Sequence, residues 1–132
     1  MACVASISPH PRAYLALTVL LIGCMAAYAN SLHGPLIYDD QAYIIENESI
    51  RQLWPPTWLG EPMAHRPVGA FTLALNYAMG GLDVVGYHLL NIAIHLACAC
   101  VAFGVLRATL SRSSELRASS GWLPLCVALI WL

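Results

Sequence analysis

The sequence contains no lysine, and charged residues make up only 10% of its 132 positions. Soluble proteins carry about 25% charged residues, so this chain cannot cover its surface with charge as a soluble enzyme does. Its arginines are scattered and its net charge is −1, which excludes the basic patch that nucleic-acid binding requires. The composition therefore indicates neither a soluble globular enzyme nor a protein that binds nucleic acid.

The sequence also lacks the cysteine pattern of a disulfide-bonded extracellular domain. Its five cysteines are an odd number, and four of them lie inside apolar blocks. Cys98 and Cys100 are two positions apart, which places them about 200° apart around a helix, so they cannot hold one metal ion together. We expect the cysteines to be packing residues.

Hydrophobic residues are abundant: they make up 59% of the chain and are gathered in blocks. Residues 13–29 and 84–106 contain no charged side chain, and each block reaches the about 17–25 residues of a membrane-spanning helix. A third apolar block, residues 122–132, is shorter. We predict an all-α integral membrane protein with two spanning helices and the start of a third. We expect the chain to be the amino-terminal piece of a longer multi-pass protein and to be inactive by itself.

The arginines predict how these helices are oriented. Arg12 precedes the first block and three arginines follow the second, and arginine is enriched on the cytoplasmic side of membranes. Residues 1–12 and 107–121 are therefore predicted to be cytoplasmic, and residues 30–83 to form a loop outside the cell or in an organelle lumen. A bacterial inner membrane is favoured, with an endoplasmic reticulum membrane as the alternative. The first block is alternatively a secretory signal peptide cleaved before Asn30.

The outer loop is far longer than the about 2–8 residues that usually join bundled helices, so we expect it to have structure and function of its own. Its most unusual feature is the adjacent pair Asp39 and Asp40 between apolar segments. Such a pair near a membrane surface suits one carboxylate to accept a proton, or both to share a divalent cation. The structural alternative is that one of them is the N-cap of a short helix running through Glu46.

The same loop contains a second helix with a marked start. Pro67 suits the first turn of a helix and the Gly80-Gly81 pair suits its end, which predicts a helix over about 67–79. It is too short to span a bilayer, and we expect it to lie in the membrane interface. Arg66 beside the free N–H groups of the first turn forms a candidate phosphate site, to which His65 is adjacent. Alternatively, Arg66 pairs with a loop carboxylate or extends to lipid headgroups.

Three polar residues mark one side of the second spanning block. At 100° per residue, His88, Asn91 and His95 lie within one 60° sector of a helix, in the half nearest the outer side. Polar residues at such depth usually line a cavity, or else they form hydrogen bonds between helices. A haem site is not indicated, because the two histidines lie on one helix and no partner histidine is identified on another.

Asn47-Glu48-Ser49 matches the acceptor triplet for N-glycosylation. Since the triplet lies in the predicted outer loop, it would be accessible to modification in a eukaryotic secretory setting. Such triplets are common by chance.

Residues 28–54 and 66–95, roughly two fifths of the chain, resemble the membrane part of the transmembrane-and-tetratricopeptide-repeat proteins and their bacterial relatives. These are polytopic glycosyltransferases of the GT-C class. The shared features, in chain order, are Tyr38-Asp39-Asp40 followed by Asn47; Arg66-Pro67 opening an apolar helix with Asn76-Tyr77; and Gly86-Tyr87-His88 with Asn91 and His95.

The resemblance implies an enzyme that moves a sugar, often mannose, from a polyprenyl-phosphate carrier to an acceptor on the non-cytoplasmic side. Asp39 and Asp40 match the acidic motif that serves this class as catalytic base or, in some branches, as metal ligand. The implied partners are a lipid-linked sugar donor, a protein or glycan acceptor and the lipid bilayer, with a divalent metal at the two aspartates as the one candidate cofactor. We expect no tetratricopeptide repeat within these residues.

Two other functions fit the sequence. One is a GT-C enzyme that acts on lipid A or another glycan. The other is a non-catalytic membrane scaffold or assembly subunit, in which the acidic pair is a helix cap and the polar stripe joins helices.

Overall fold

The computed structural model describes residues 11–60 and 62–132, and all regular structure in these two ranges is helical. This confirms the all-α prediction for the described part of the chain. Residues 1–10 of the predicted cytoplasmic terminus lie outside it. The four α-helices of the two ranges are α1 (Pro11–Tyr28), α2 (Pro67–Gly80), α3 (Val84–Arg112) and α4 (Leu123–Trp131).

Among the described helices, α3 alone is both long and apolar enough to cross a membrane. Its 29 residues correspond to about 43 Å, against about 30 Å for the hydrocarbon core of a bilayer. The apolar part of α1, Ala13–Tyr28, is shorter than the about 17–25 residues that a membrane-spanning helix usually needs. The structure thus supports one candidate span, and the multi-pass arrangement stays a prediction.

The helix α3 continues beyond residue 106, where the apolar block ends, to Arg112. Its last turns contain hydroxyl side chains that bond back to the helix: Thr109 Oγ1 donates to the Val105 carbonyl and Ser111 Oγ to the Ala108 carbonyl. These bonds satisfy the hydroxyl groups without interrupting the helix.

The chain forms two compact units, which we call the helical unit and the loop unit. The helical unit contains α1, the part of α3 from Ile92 onward, and α4. Small residues allow its helices to approach closely, because a Cβ added at Gly23 would lie 3.2 Å from Leu129 Cδ2. The buried residues of its core are Ala16, Leu20, Phe103 and Ala128.

Many large apolar side chains of the helical unit face outward. Leu15 is 65% exposed, Val101 is also 65% exposed, and Ile130 is 86% exposed. Water would be a poor solvent for such a surface, whereas lipid or further helices would cover it without cost.

The loop unit comprises Asn30–Asn91 and contains three single turns, α2 and the start of α3. A π-helical turn (Gln41–Ile45) and two 3₁₀ turns (Glu48–Arg51 and Thr57–Leu59) precede α2. They surround a small core whose buried members are Ile44, Ile50, Ala74 and Tyr87.

Both ends of α2 have the local chemistry that the sequence indicated. Pro67 opens the helix, where its missing N–H costs nothing. Gly81 ends it with φ +63, and its N–H donates to the Tyr77 carbonyl over 2.8 Å. A non-glycine residue would be strained at this φ. Tyr87 Oη then donates to the Gly81 carbonyl over 2.8 Å, which fixes the short turn between α2 and α3.

Candidate functional site

The centre of the candidate site is a cavity of about 210 Å³ within the loop unit. It is lined by the turn that contains Asp39 and Asp40 and by residues of α2 and α3. We call it the polar chamber. It is smaller than the about 300–1,000 Å³ of sites for drug-sized ligands, so it suits a single sugar or phosphate group. Its lining residues are Asp39, Asp40, Tyr43, Ile44, Met63, Arg66, Thr72, Leu73, Asn76, Tyr87, Leu90 and Asn91.

The acidic pair reaches the chamber from a tight turn. Tyr38 takes a positive φ of 54°, a conformation that is uncommon outside glycine, and the chain then enters the π-helical turn. Asp40 occupies the N-cap position of that turn without making a side-chain cap bond. Its Oδ2 instead accepts the Ile37 N–H at 3.2 Å, so the carboxylate secures the preceding residues. Asp39 is exposed and accepts no hydrogen bond from the described residues.

Arg66 also lines the chamber. It holds the N-cap position of α2 with an exposed side chain, and its backbone carbonyl accepts the first hydrogen bond of the helix, from Ala70 N at 2.9 Å. The guanidinium forms no ion pair with any carboxylate in the described ranges. A cation beside a helix N-terminus is thus available for an anionic ligand.

The other predicted site residues lie in different places. Asn91 lines the chamber, and His65 is exposed next to Arg66 without lining it. His88 lies outside the lining, and its Nε2 is 2.9 Å from the Gly34 carbonyl oxygen, a contact that joins the start of the loop to α3. The structure therefore brings Asp39, Asp40, Arg66 and Asn91 together.

His95 belongs to the helical unit. Its ring lies edge-on to Tyr28 at 5.7 Å between centroids and stacks on Trp131 at 5.8 Å. Its Nε2 also lies 3.0 Å from the Trp131 carbonyl oxygen. These contacts match the helix-joining alternative that the sequence left open for the polar stripe.

A second cavity of the loop unit, of about 290 Å³, is almost entirely apolar. We call it the apolar groove. It lies between α2 and the start of α3, and it has two lining residues, Asn76 and Leu90, in common with the polar chamber. The remaining lining residues are Leu75, Met79, Gly86 and Leu89.

Sequence reasoning did not assign several chamber residues to the site. Met63 is buried between breaker residues in a segment with no helical or strand periodicity, so no pattern indicated it. Thr72 and Asn76 were the detectable ones, since they are polar residues one turn apart in an otherwise apolar helix.

The chamber does not have the donor set of a metal site on its own. The described residues contain no group of three His, Cys, Asp or Glu side chains placed to hold an ion. Two adjacent carboxylates supply too few protein ligands for a cage around a divalent cation, so we derive no step through a metal.

The glycosylation triplet is engaged in the fold of the loop unit. Asn47 is only 4% exposed, and its Oδ1 accepts both the Ser49 N–H at 3.0 Å and the Ser49 hydroxyl at 2.6 Å. Its Nδ2 donates to the Tyr43 carbonyl over 3.1 Å. The side chain that would carry a glycan is thus a buried cap of a 3₁₀ turn.

Comparison with known proteins gives partial matches to one family. The chain is 31% identical over 118 residues to protein O-mannosyl-transferase Tmtc1 of Drosophila melanogaster, which covers 76% of the chain and 14% of that relative. It is 30% identical over 106 residues to the fly's protein O-mannosyl-transferase Tmtc3, covering 70% of the chain and 11% of the relative. The human protein O-mannosyl-transferase TMTC3 is 29% identical over 114 residues, covering 76% and 12%.

These matches support the TMTC protein O-mannosyl-transferases as the family to which the chain is related. The chain spans between 11% and 14% of the length of these three curated relatives. No family model matches the chain, and no solved structure matches it significantly.

Proposed function

We propose that the chain is part of a membrane mannosyltransferase of the GT-C class, which moves mannose from a polyprenyl-phosphate carrier to a hydroxyl group of a protein. The observation that carries this proposal is the polar chamber, a cavity of sugar size lined by an acidic pair and by an arginine that forms no ion pair within the described residues. The similarity to named protein O-mannosyl-transferases supports the choice of mannose and of a protein acceptor.

The acidic and the basic groups of the chamber suit the two ends of the reaction. Asp39 takes the proton of the acceptor hydroxyl while that oxygen forms a bond to the anomeric carbon of the sugar. The bond from the anomeric carbon to the phosphate oxygen breaks, and the lipid phosphate leaves with the electron pair of that bond. Arg66 and the N-terminus of α2 stabilise the phosphate charge.

The two aspartates have different tasks in this proposal. Asp40 already accepts the Ile37 N–H, so it holds the turn in place. Asp39 has both oxygens available to an acceptor hydroxyl. We therefore assign the base to Asp39 and a supporting role to Asp40.

In the proposed topology, α1 and α3 cross the bilayer and residues 30–83 lie on the non-cytoplasmic side, with the N-terminus in the cytoplasm. The arginine distribution supports this orientation. It applies equally to a bacterial inner membrane and to an endoplasmic reticulum membrane, since both place the loop unit away from the cytoplasm.

The test is mannose transfer from polyprenyl-phosphate mannose to an acceptor peptide, measured with the intact protein reconstituted in lipid. Asp39→Asn should lower the turnover by about 10²–10⁴-fold, the usual contribution of a general base. Asp40→Asn should cost less. Arg66→Lys should chiefly raise the KM for the donor, because a point charge replaces a planar fork of donors.

Asp83→Asn is the matched control. Asp83 lies outside the chamber, and its Oδ1 accepts the Val85 N–H at 3.1 Å, a bond that asparagine can also accept. Equal transfer by wild type, Asp39→Asn and Asp40→Asn, with normal membrane insertion, would contradict the enzyme proposal and favour the scaffold role.

A further inference from the structure

Asn76 lines both the polar chamber and the apolar groove of the loop unit. It is the only polar side chain among the residues common to the polar chamber and the apolar groove, the other being Leu90. A ligand with a polar head in the chamber and a hydrocarbon chain in the groove would have to pass this residue.

The amide oxygen of Asn76 is available to a ligand. Its Nδ2 donates to the Thr72 carbonyl over a long 3.4 Å, which favours the amide orientation with Oδ1 on the other side. Oδ1 accepts no hydrogen bond from the described residues. None of their buried side-chain oxygens or nitrogens lacks a partner, so Oδ1 must retain accessible surface.

Gly86 on the facing helix leaves room for this oxygen. A Cβ built on Gly86 would lie 3.1 Å from Asn76 Oδ1, which is closer than such contacts normally are. The absence of a side chain at residue 86 is therefore what allows α3 to approach the amide. Because Gly86 lines the apolar groove, this contact lies at the boundary between the two cavities.

We infer that Asn76 is a ligand-binding residue whose amide oxygen accepts a hydroxyl group of the sugar at the junction of chamber and groove. The inference rests on the proposed function for the identity of the ligand. An amide oxygen needs a hydrogen donor, which a sugar hydroxyl provides and a fully ionised phosphate does not. Asn76 thereby selects a lipid phosphate that carries a sugar over one that does not.

The experiment measures binding, without turnover, of polyprenyl-phosphate mannose and of polyprenyl phosphate to the intact protein in detergent micelles. Asn76→Ala should weaken binding of the mannose-bearing lipid by about 5–10-fold, as expected for one hydrogen bond, and should leave the sugar-free lipid unchanged. The sugar-free lipid also reports whether the variant is folded.

A glycine pair on α3 provides a second variant and its control. Gly86→Ala retains the amide but displaces it, so it should weaken binding of the same ligand. Combining Gly86→Ala with Asn76→Ala should add little to the single loss, because both act on one contact. Gly104→Ala makes the same substitution on the same helix, where an added Cβ has nothing within 4 Å, and should change neither affinity.

The outcomes separate this inference from the proposed function. Unchanged binding of the mannose lipid by Asn76→Ala, or equal weakening of both lipids, would overturn the role of Asn76 while leaving transfer to be judged by the aspartate variants. Binding without any transfer by wild type would reject the enzyme, and the Asn76 comparison would still decide the binding role. Binding of neither lipid by wild type would overturn the inference.

Discussion

The two units of this chain differ in how much they depend on polar contacts between distant segments. In the helical unit, hydroxyl groups bond to carbonyls three or four residues earlier in the same helix, as Thr18 does with Tyr14. In the loop unit, polar side chains join segments that are distant in sequence: His88 contacts Gly34, and Arg51 contacts Tyr77. Hydroxyl groups on the helices of the helical unit thus bond within their own helix, and its long-range polar contacts come from Tyr28 and His95 near the helix ends. The loop unit relies on long-range polar contacts to hold its turns together.

This difference shows where function can be read from the structure. Once the structural hydrogen bonds of the loop unit are assigned, the polar groups that remain fall into two sets. Those on Asp39, Arg66, Asn76 and Asn91 line one cavity, whereas those on His33, Glu48, Gln52 and His65 lie on the exposed surface. The helical unit exposes mainly apolar side chains, so its properties depend on the surrounding lipid or helices.

The largest expected effect compares one buried residue from each unit. Ile50→Ala and Leu20→Ala both truncate side chains that are 0% exposed. Ile50→Ala should destabilise the loop unit by about 2–5 kcal/mol. The side chain loses the free energy of transfer out of water, and the cavity that it leaves adds a further cost. Leu20→Ala should cost less if its unfolded reference state remains in lipid. Hydrogen exchange of peptides from the two units measures both. Equal losses would mean that both cores are stabilised against water.

A smaller effect is expected from the buried amide of the loop unit. Asn47→Ala removes the cap of the Glu48–Arg51 turn and leaves the Tyr43 carbonyl without its donor, which should cost about 1–3 kcal/mol. Thr18→Val removes an exposed back-bond in α1 and should be nearly neutral. Thermal unfolding in detergent, followed by limited proteolysis, compares them.

The same burial predicts that the folded protein carries no glycan at this triplet when it is produced in a eukaryotic cell. Glycosidase treatment should leave its mobility unchanged. A shift that disappears in Asn47→Gln would show that the loop unit opens during synthesis.

The smallest effect concerns the arginine that links two segments of the loop unit. Arg51 donates through Nη2 to the Ile45 carbonyl at 2.8 Å and through Nη1 to Tyr77 Oη at 2.9 Å, and it also lies over the Tyr77 ring. Arg51→Lys keeps the charge but cannot reach both acceptors, so we expect a loss of about 1 kcal/mol or less at this exposed site. Tyr77→Phe should cost less still. Proteolysis rates at the 41–45 turn report the change, and a larger loss for Tyr77→Phe would contradict this account.

The sequence predicted best what local chemistry determines. Pro67 and the two glycines after Met79 indicated the limits of α2. The fixed φ of proline and the positive φ that glycine tolerates are properties of single residues, so they can be read from the sequence. Asp39 and Asp40 stood out by adjacency. The burial of Asn47 and the joining role of His95 depend on residues far away in the chain, which no local pattern reports. Asn76 was visible as a polar residue of the apolar helix α2 and as part of the resemblance, but its role could not be read from either, since that role depends on Gly86 on another helix.

The turn between α2 and α3 constrains how this chain can change over evolution. Tyr87 closes that turn onto Gly81, and the two helices that the turn joins both supply lining residues to both cavities. One inserted residue would turn the start of α3 by about 100° and carry Asn91 away from Asp39. Insertions and deletions among homologous sequences should therefore occur in the exposed stretch at residues 51–55. The number of residues from Arg66 to Asn91 should stay constant.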